Sequence, residues 1–351
     1  MKMKKMNKAT KDQMFTYGIV IFAYILVEIL IQTRTLSRSM QNLLVPIVYY
    51  AIVAVGLNLC VGILGELSIG HAGFMCIGAF SSAVFSICTE DKMAGGLRFF
   101  LAFVVGISVS ALFGFLIGIP VLRLKGDYLA IVTLAFGEII KNVLNAFYLG
   151  YDSKGVHLSM SMETFQLDPD GKVLINGANG VSGTPMDSNF TVAMIVLFLV
   201  LVITQNLIHS RDGRAIMAIR DNRIAAEATG ISVTKYKMLA FTISAAIAGA
   251  GGVLYSHNLS SMMANSQSFG YNVSILILVY VVLGGIGNIR GSIIATVVLY
   301  LLPEVLRGMD KLRMLIYAIV LIVMMLLNWA PAAISMRESL LAKFKKKKEV
   351  A

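Results

Sequence analysis

The feature that most constrains this chain is a series of long apolar runs separated by short polar segments. We count ten runs, two of them short, at residues 17–33, 43–64, 71–88, 99–121, 128–149, 190–208, 238–256, 273–286, 291–304 and 313–330. A helix needs about 20 apolar residues to cross the hydrocarbon core of a bilayer. Because lipid offers no partner for backbone polar groups, these runs are predicted to be helices that satisfy their own hydrogen bonds.

The composition supports a membrane protein, since 57% of the residues are hydrophobic and only 14% are charged. A soluble domain carries about 25% charged residues. The strands of a membrane barrel would show about ten alternating residues each, which this pattern excludes. We therefore predict an all-α polytopic membrane protein with about ten transmembrane helices, within a range of eight to ten.

The formal net charge of +11 is distributed unevenly along the chain. Lysines precede the first run and follow the last, residues 209–237 are basic, and residues 150–189 are acidic. The positive-inside rule places both termini and the 209–237 loop in the cytoplasm and the 150–189 loop outside. The predicted organisation is a basic segment (1–16), a permease domain (17–330) and a basic tail (331–351). The lysine-rich ends favour contact with anionic lipid over nucleic acid.

Motifs of enzyme chemistry are absent from the sequence. We find no G-x-x-x-x-G-K-[ST] phosphate loop, G-x-G-x-x-G, H-E-x-x-H or C-x-x-C. Cys60, Cys76 and Cys88 fall in or beside apolar runs and are interpreted as packing residues. We expect no catalytic residue, no metal site and no bound cofactor. Uphill transport would then draw on an ion gradient or on a partner that hydrolyses nucleotide.

Two stretches of the sequence carry polar residues that could act in transport. Glu138 and Lys141 are three apart, so they pair on one helix face. A self-neutralised pair facing the bundle is favoured over a role in the translocation path. Residues 65–74, GELSIGHAGF, are predicted to form a short cytoplasmic turn in which Ser68 caps the third span and His71 bonds a neighbouring helix.

Glycines mark the candidate hinges. Gly65 and Gly70 allow a sharp reversal, and Gly285 and Gly287 are predicted to form a second tight turn within 284–291. A structural hinge is favoured over direct substrate contact at the 65–74 turn.

The basic 209–237 segment predicts two short helices. Asp221 or Asn222 can cap a helix that begins near Arg223, and Gly230 can end it. The segment is either an interfacial helix on anionic lipid or a helix that docks on a soluble ATPase. The candidate ATPase-coupling residues are Arg220, Ala226, Glu227 and Gly230.

Three blocks of sequence resemble one family. GLNLCVGILGELSIGHAGFMCIGAF (56–80), LRLKGDYLAIVTLAFGEIIKNVLN (122–145) and the basic segment continued through MLAFTISAAIAGAGGVLY are similar to the branched-chain amino acid permeases of ABC importers, the LivM type. The chain departs from the family pattern at GGIGNIRGS, which has Asn288 and Arg290, with Ser292 where proline is common. The spacing from Glu227 to Gly230 is also tighter than in the general loop of importer permeases.

This resemblance implies a transport subunit and not an enzyme. The expected partners are a second homologous permease, two ATP-binding subunits that use the ATP, an extracytoplasmic substrate-binding protein and the lipid of a bacterial cytoplasmic membrane. The substrate would be leucine, isoleucine or valine. Alternatives are urea, short amides or another small polar solute, and, from another class, a gradient-driven secondary transporter motivated by Glu138 and Lys141.

Overall fold

The computed structural model describes residues 8–124, 126–169, 171–306 and 312–329. The tail at 331–351 and the first part of the basic segment at 1–16 lie outside these residues. The helices that cover the ten apolar runs are α1 (Lys8–Gln32), α2 (Arg38–Asn58), α3 (His71–Thr89), α4 (Gly95–Val121), α5 (Asp127–Ala146), α6 (Phe190–His209), α9 (Val233–Ser256), α10 (Tyr271–Gly284), α11 (Ile289–Val305) and α12 (Arg313–Trp329). Two more, α7 (Arg211–Asp221) and α8 (Arg223–Ala228), lie in the basic loop.

Among the described residues, seven helices are long and apolar enough to cross a membrane. They are α1 from Gln13, α2 with its π-helical extension Leu59–Leu64, α3, α4, α5, α6 and α9. The other three helices at predicted spans are shorter, because α10 has 14 residues and α11 and α12 have 17 each. A helix of 14 residues is only about 21 Å long, against about 30 Å for a hydrocarbon core. The polytopic helical prediction is confirmed, and the number of spans is not fixed by helix length alone.

The core is built on α9, which packs against α2, α3 and α4. Small residues make these contacts close: a Cβ added at Gly78 would lie 2.6 Å from the Cα of Gly249. On α4, one added at Gly106 would lie 2.9 Å from the carbonyl of Gly78. In lipid, where apolar surface gains little from burial, such close backbone approach is a main source of helix association. The small residues of α9 therefore serve the packing of the bundle.

The outer faces of the bundle are apolar. Phe100, Leu116, Ile131, Leu199 and Ile322 are each at least half exposed. In water such a surface would be unfavourable, whereas in a bilayer it is the surface that lipid requires.

The acidic loop adds short strands to the otherwise helical fold. Residues 148–176 form a three-stranded antiparallel sheet in the order β2 (Gly155–Ser159), β1 (Tyr148–Asp152), β3 (Lys172–Asn176). A second, two-stranded pair joins β4 (Val181–Ser182) to β5 (Ser261–Met262), and so ties the loop to the segment after α9.

Two ion pairs anchor this loop to the end of the bundle. Lys172 bonds Asp91 at 2.9 Å, and this hydrogen bond lowers the pKa of the Asp91 carboxyl. Arg98, in the first turn of α4, bonds Asp187 at 2.8 Å. Of the two, the better-covered Arg98–Asp187 pair is the one that ties the loop to α4, because exposed ion pairs contribute little.

Candidate coupling surface and membrane-embedded polar sites

The basic loop folds into two capped helices, as its sequence predicts. The Ser210 hydroxyl accepts a hydrogen bond from Gly213 N at 3.0 Å and begins α7. Of the two predicted caps for the next helix, Asn222 is the one used, since its Oδ1 accepts from Ala225 N at 3.0 Å. These bonds satisfy backbone donors that have no partner inside a helix.

Gly230 ends α8 in the predicted way. Its φ of +85° is left-handed, a conformation that glycine adopts without steric cost. Gly230 N donates to the Glu227 carbonyl at 3.0 Å, and Ile231 N donates to the Ala226 carbonyl at 3.1 Å. This is the hydrogen-bond pattern of a Schellman motif, which fixes the direction in which the chain leaves the helix.

The candidate coupling residues face different ways. Ala226 is buried in a small cluster with Ile219 of α7 and Val233 of α9, so this side of α8 packs against its neighbours. Glu227 and Gly230 are exposed. Ile224, which the sequence analysis did not select, is 80% exposed and is the most exposed large apolar side chain of the described residues.

Arg220 connects this loop to the end of α2. Its Nη1 donates to the Gly62 carbonyl at 2.9 Å, while its Nε and Nη2 bond the Asp221 carboxylate at 3.0 and 2.9 Å. A Cβ added at Gly65 would lie 2.6 Å from Arg220 Cγ, so the glycine makes room for this side chain. The Arg220 side chain therefore joins α7 to the π-helical extension of α2 and to Gly65, which follows it.

The loop between α10 and α11 contacts the end of α2. Gly285 and Gly287 have φ values of +96° and +81°, which confirms the predicted tight turn. Gly287 N donates to Asn58 Oδ1 at 2.8 Å, and Asn58 Nδ2 donates to the Ser292 hydroxyl at 2.8 Å. Asn58 was not among the predicted site residues. An amide within an apolar run was a signal for it, because a buried amide needs hydrogen-bond partners, and Asn58 is fully buried here.

Residues 65–70 form a short connection between the π-helical extension of α2 and the start of α3, and part of it is buried. They run as irregular backbone from Gly65, beside Arg220, to Gly70, which packs against the backbone of Thr133 in α5. Near the first end, Glu66 forms an ion pair with Lys237 of α9. Irregular backbone at such a position is stable because it is covered by protein and not by lipid.

Ser68 and His71 form a buried polar chain at the inner end of this segment. The prediction that Ser68 caps α3 is wrong, because the residue before α3 is Gly70. The Ser68 hydroxyl instead bonds His71 Nδ1 at 3.2 Å. His71 Nε2 bonds the Ser244 hydroxyl of α9 at 2.7 Å, and that hydroxyl donates to the Gly56 carbonyl at 2.6 Å. The predicted bond from His71 to a neighbouring helix is confirmed.

Glu138 and Lys141 form the predicted pair on α5, and both also contact the segment around the start of α10. Lys141 donates to Glu138 and, at 3.0 Å, to the Ser266 hydroxyl. Glu138 Oε1 accepts from Tyr271 N, the first residue of α10, at 2.8 Å. A carboxylate at the amino end of a helix is stabilised by the helix dipole and by the free N–H groups.

The comparisons with known proteins point to one family. The family model described as "Branched-chain amino acid transport system / permease component" matches residues 39–327. The chain belongs to this family. The permease is 34% identical to the high-affinity branched-chain amino acid transport system permease protein LivM of Salmonella typhimurium, over 84% of its own length and 69% of that protein's length. It is 33% identical to the protein of the same name from Escherichia coli, over the same shares of the two chains.

A more distant relative is the nucleoside ABC transporter permease protein NupC of Lactococcus lactis, which is 27% identical over 66% of this chain and 71% of that protein. No solved structure was found to match the permease.

Within this permease, the 65–70 segment links the two kinds of candidate site. Its first residue, Gly65, contacts Arg220 of the coupling loop. Its last residues bond His71 and pack on Thr133, one and a half turns before Glu138 on α5. The 65–70 segment therefore forms a continuous line of contacts from α7 to α5.

Proposed function

We propose that this permease forms half of the translocation path of an ABC importer for branched-chain amino acids. Its partners would be a second homologous permease, two ATP-binding subunits and an extracytoplasmic binding protein that delivers leucine, isoleucine or valine. The observation that carries the proposal is the family match over residues 39–327, together with 34% identity to a LivM protein.

The proposed topology places both termini and the α7–α8 loop in the cytoplasm of a bacterial cell. The basic residues of α7 and α8 support this side, because positive charge is retained in the cytoplasm. The three-stranded sheet then lies on the extracytoplasmic side, where the binding protein docks. Ten helices reach or cross the hydrocarbon region in this topology, with α10 and α11 as a short pair.

The proposed docking element is α8. Its exposed Ile224 would enter a groove of the ATPase subunit, with Glu227 and Arg223 at the rim as charged contacts. Arg220 would transmit the movement, because it bonds the Gly62 carbonyl and packs over Gly65.

The proposal is tested by reconstituting the permease with its homologous partner, the ATP-binding subunits and the binding protein in liposomes. We expect leucine uptake that requires ATP and the binding protein. Uptake should be unchanged when the proton and sodium gradients are collapsed by ionophores. Leucine uptake by this chain alone, driven by an ion gradient without ATP, would exclude the importer and favour a secondary transporter.

Substrate choice is tested in the same vesicles. Urea, a short amide and uridine are offered in place of leucine, each with its own detection. Uptake of one of these in preference to leucine would place the permease in another substrate class of the same importer type.

A further inference from the structure

A polar strip crosses the otherwise apolar surface between α5 and α10. Glu138, Asn142 and Asn145 are spaced four and three residues apart and so share one edge of α5. Asn142 is exposed and Asn145 is half-buried, while Ile139, on the neighbouring face, is 59% exposed. Exposed amides beside a carboxylate are unfavourable against lipid, so this edge faces protein or water.

The strip runs from the middle of α5 to its carboxyl end. Glu138 is eleven residues from Asp127, the first residue of α5, which is about 16 Å along a helix about 30 Å long. Because Tyr271 N bonds Glu138, α10 begins at this depth and not at the end of the bundle. The residues that precede and open α10, Ser266, Gln267, Tyr271 and Asn272, are exposed there.

The charges of the strip are only partly covered. The Lys141 side chain is 8% exposed, whereas the Glu138 side chain is 24% exposed. Lys141 directs its ammonium to Glu138 and Ser266, and the Glu138 carboxylate holds both that ammonium and the first N–H of α10. A cationic group, an anionic group and a helix N–H thus converge at a surface that a second protein can close.

This arrangement matches the head group of an α-amino acid, which carries one ammonium and one carboxylate about 3 Å apart. The substrate carboxylate can replace Glu138 on Lys141 and on Tyr271 N, while the substrate ammonium bonds Glu138. The one ion pair of the empty site becomes two when the substrate is bound, so no charge is left unpaired in a region of low dielectric. When the substrate leaves, Glu138 and Lys141 pair again, which keeps the binding weak and transient.

We propose that the Glu138–Lys141 pair, with the start of α10, is a transient contact for zwitterionic α-amino acids in the translocation path. The second permease would close the strip and leave a polar passage between the two chains. The inference rests on the proposed import of amino acids, and it adds the residues that contact the substrate. An uncharged solute such as urea gains nothing from this exchange, so the site distinguishes amino acids from amides.

The first test removes the charge of one partner in the complete reconstituted importer. Glu138→Gln keeps the shape and an oxygen for Tyr271 N, and we expect leucine transported per ATP to fall at least tenfold. Asp187→Asn is the matched control, since Asp187 is also paired, with Arg98 at 2.8 Å, and is 26% exposed. The control should stay within twofold of the unmodified importer.

The second test does not depend on the charge variant. Asn142→Cys is made with Cys88→Ser, because Cys60 and Cys76 are buried and Cys88 is not. During turnover, a charged methanethiosulfonate reagent should modify the introduced thiol in the assembled importer, and leucine should slow the modification at least threefold. Ile139→Cys, about 90° round the same helix from the strip, should react much more slowly and without an effect of leucine.

The outcomes separate this inference from the proposed function. If the unmodified importer fails to take up leucine, the proposed function fails and this inference fails with it. If the unmodified importer works and Glu138→Gln keeps its leucine-to-ATP ratio, the inference alone is overturned. If Glu138→Gln does not assemble, absence of labelling at position 142, or labelling that leucine does not slow, overturns the inference.

Discussion

Replacing Arg220 by glutamine should separate ATP hydrolysis from transport. The substitution removes the guanidinium that bonds the Gly62 carbonyl at 2.9 Å, which is the direct hydrogen bond from α7 to the extension of α2. Glutamine is shorter and cannot reach both Gly62 and Asp221. The helix itself should remain, because its caps and its buried residues are unchanged.

The size of the effect follows from the contacts of Arg220. A hydrogen bond from a charged donor contributes about 1.5–3 kcal/mol, and the lower value applies because the Arg220 side chain is 37% exposed. The Asp221 carboxylate is 68% exposed, so its ion pair adds close to nothing. A loss of about 1.5 kcal/mol corresponds to about a tenfold shift in the equilibrium between linked and unlinked states.

The measurement is leucine uptake and phosphate release in the same proteoliposomes. We expect Arg220→Gln to hydrolyse ATP but to transport about tenfold less leucine per ATP. Arg220→Lys should lose less, because it keeps the charge but not the planar fork that holds two acceptors. Arg211→Gln removes the same charge from the exposed start of α7 and serves as the control.

Two results would refute this reasoning. An unchanged ratio of leucine to ATP in Arg220→Gln would show that the bond to Gly62 carries no coupling. An equal loss in Arg211→Gln would show that the ATPase responds to the charge of the loop and not to this contact.

Two further substitutions test how the bundle is held together. Gly252→Ala should lower the free energy of unfolding by about 1–3 kcal/mol, because its Cβ would overlap the Met75 carbonyl; Gly96→Ala, with open space around it, should unfold like the parent in detergent. Equal melting of these two variants would contradict the close packing of α3 on α9. Asn58→Leu should cost about 2–4 kcal/mol, because it leaves Gly287 N and the Ser292 hydroxyl without their buried partner, and an unchanged melting temperature would be evidence against that bridge.

The sequence predicted well those features that depend on local chemistry. Apolar runs marked the helices, Asn222 marked the start of α8, and Gly230 marked its end, because a cap or a left-handed glycine needs only its nearest neighbours. The pairing of Glu138 with Lys141 followed in the same way from helical spacing.

Features that depend on distant contacts could not be predicted. The inward path of residues 65–70 requires the small surface of α5 at Thr133 and Gly137, and nothing in GELSIG itself indicates that surface. The sheet in the acidic loop was missed because its strands are five residues or shorter and pair across a long connection. The shortness of run 273–286 was visible, but the depth at which α10 begins is set by Glu138, from another helix.

The short α10 has a consequence for how this chain is made. At about 21 Å it is a poor candidate for independent insertion as the ribosome delivers it. The groups that hold its first turn, Glu138 of α5 and the backbone N–H of Ala72, which bonds Ser274 at 3.1 Å, are synthesised well before it. The helices that are synthesised first therefore provide the polar contacts on which α10 assembles. A ribosome that stalls before residue 284 would leave Glu138 and the backbone N–H of Ala72 without a complete α10 to bond.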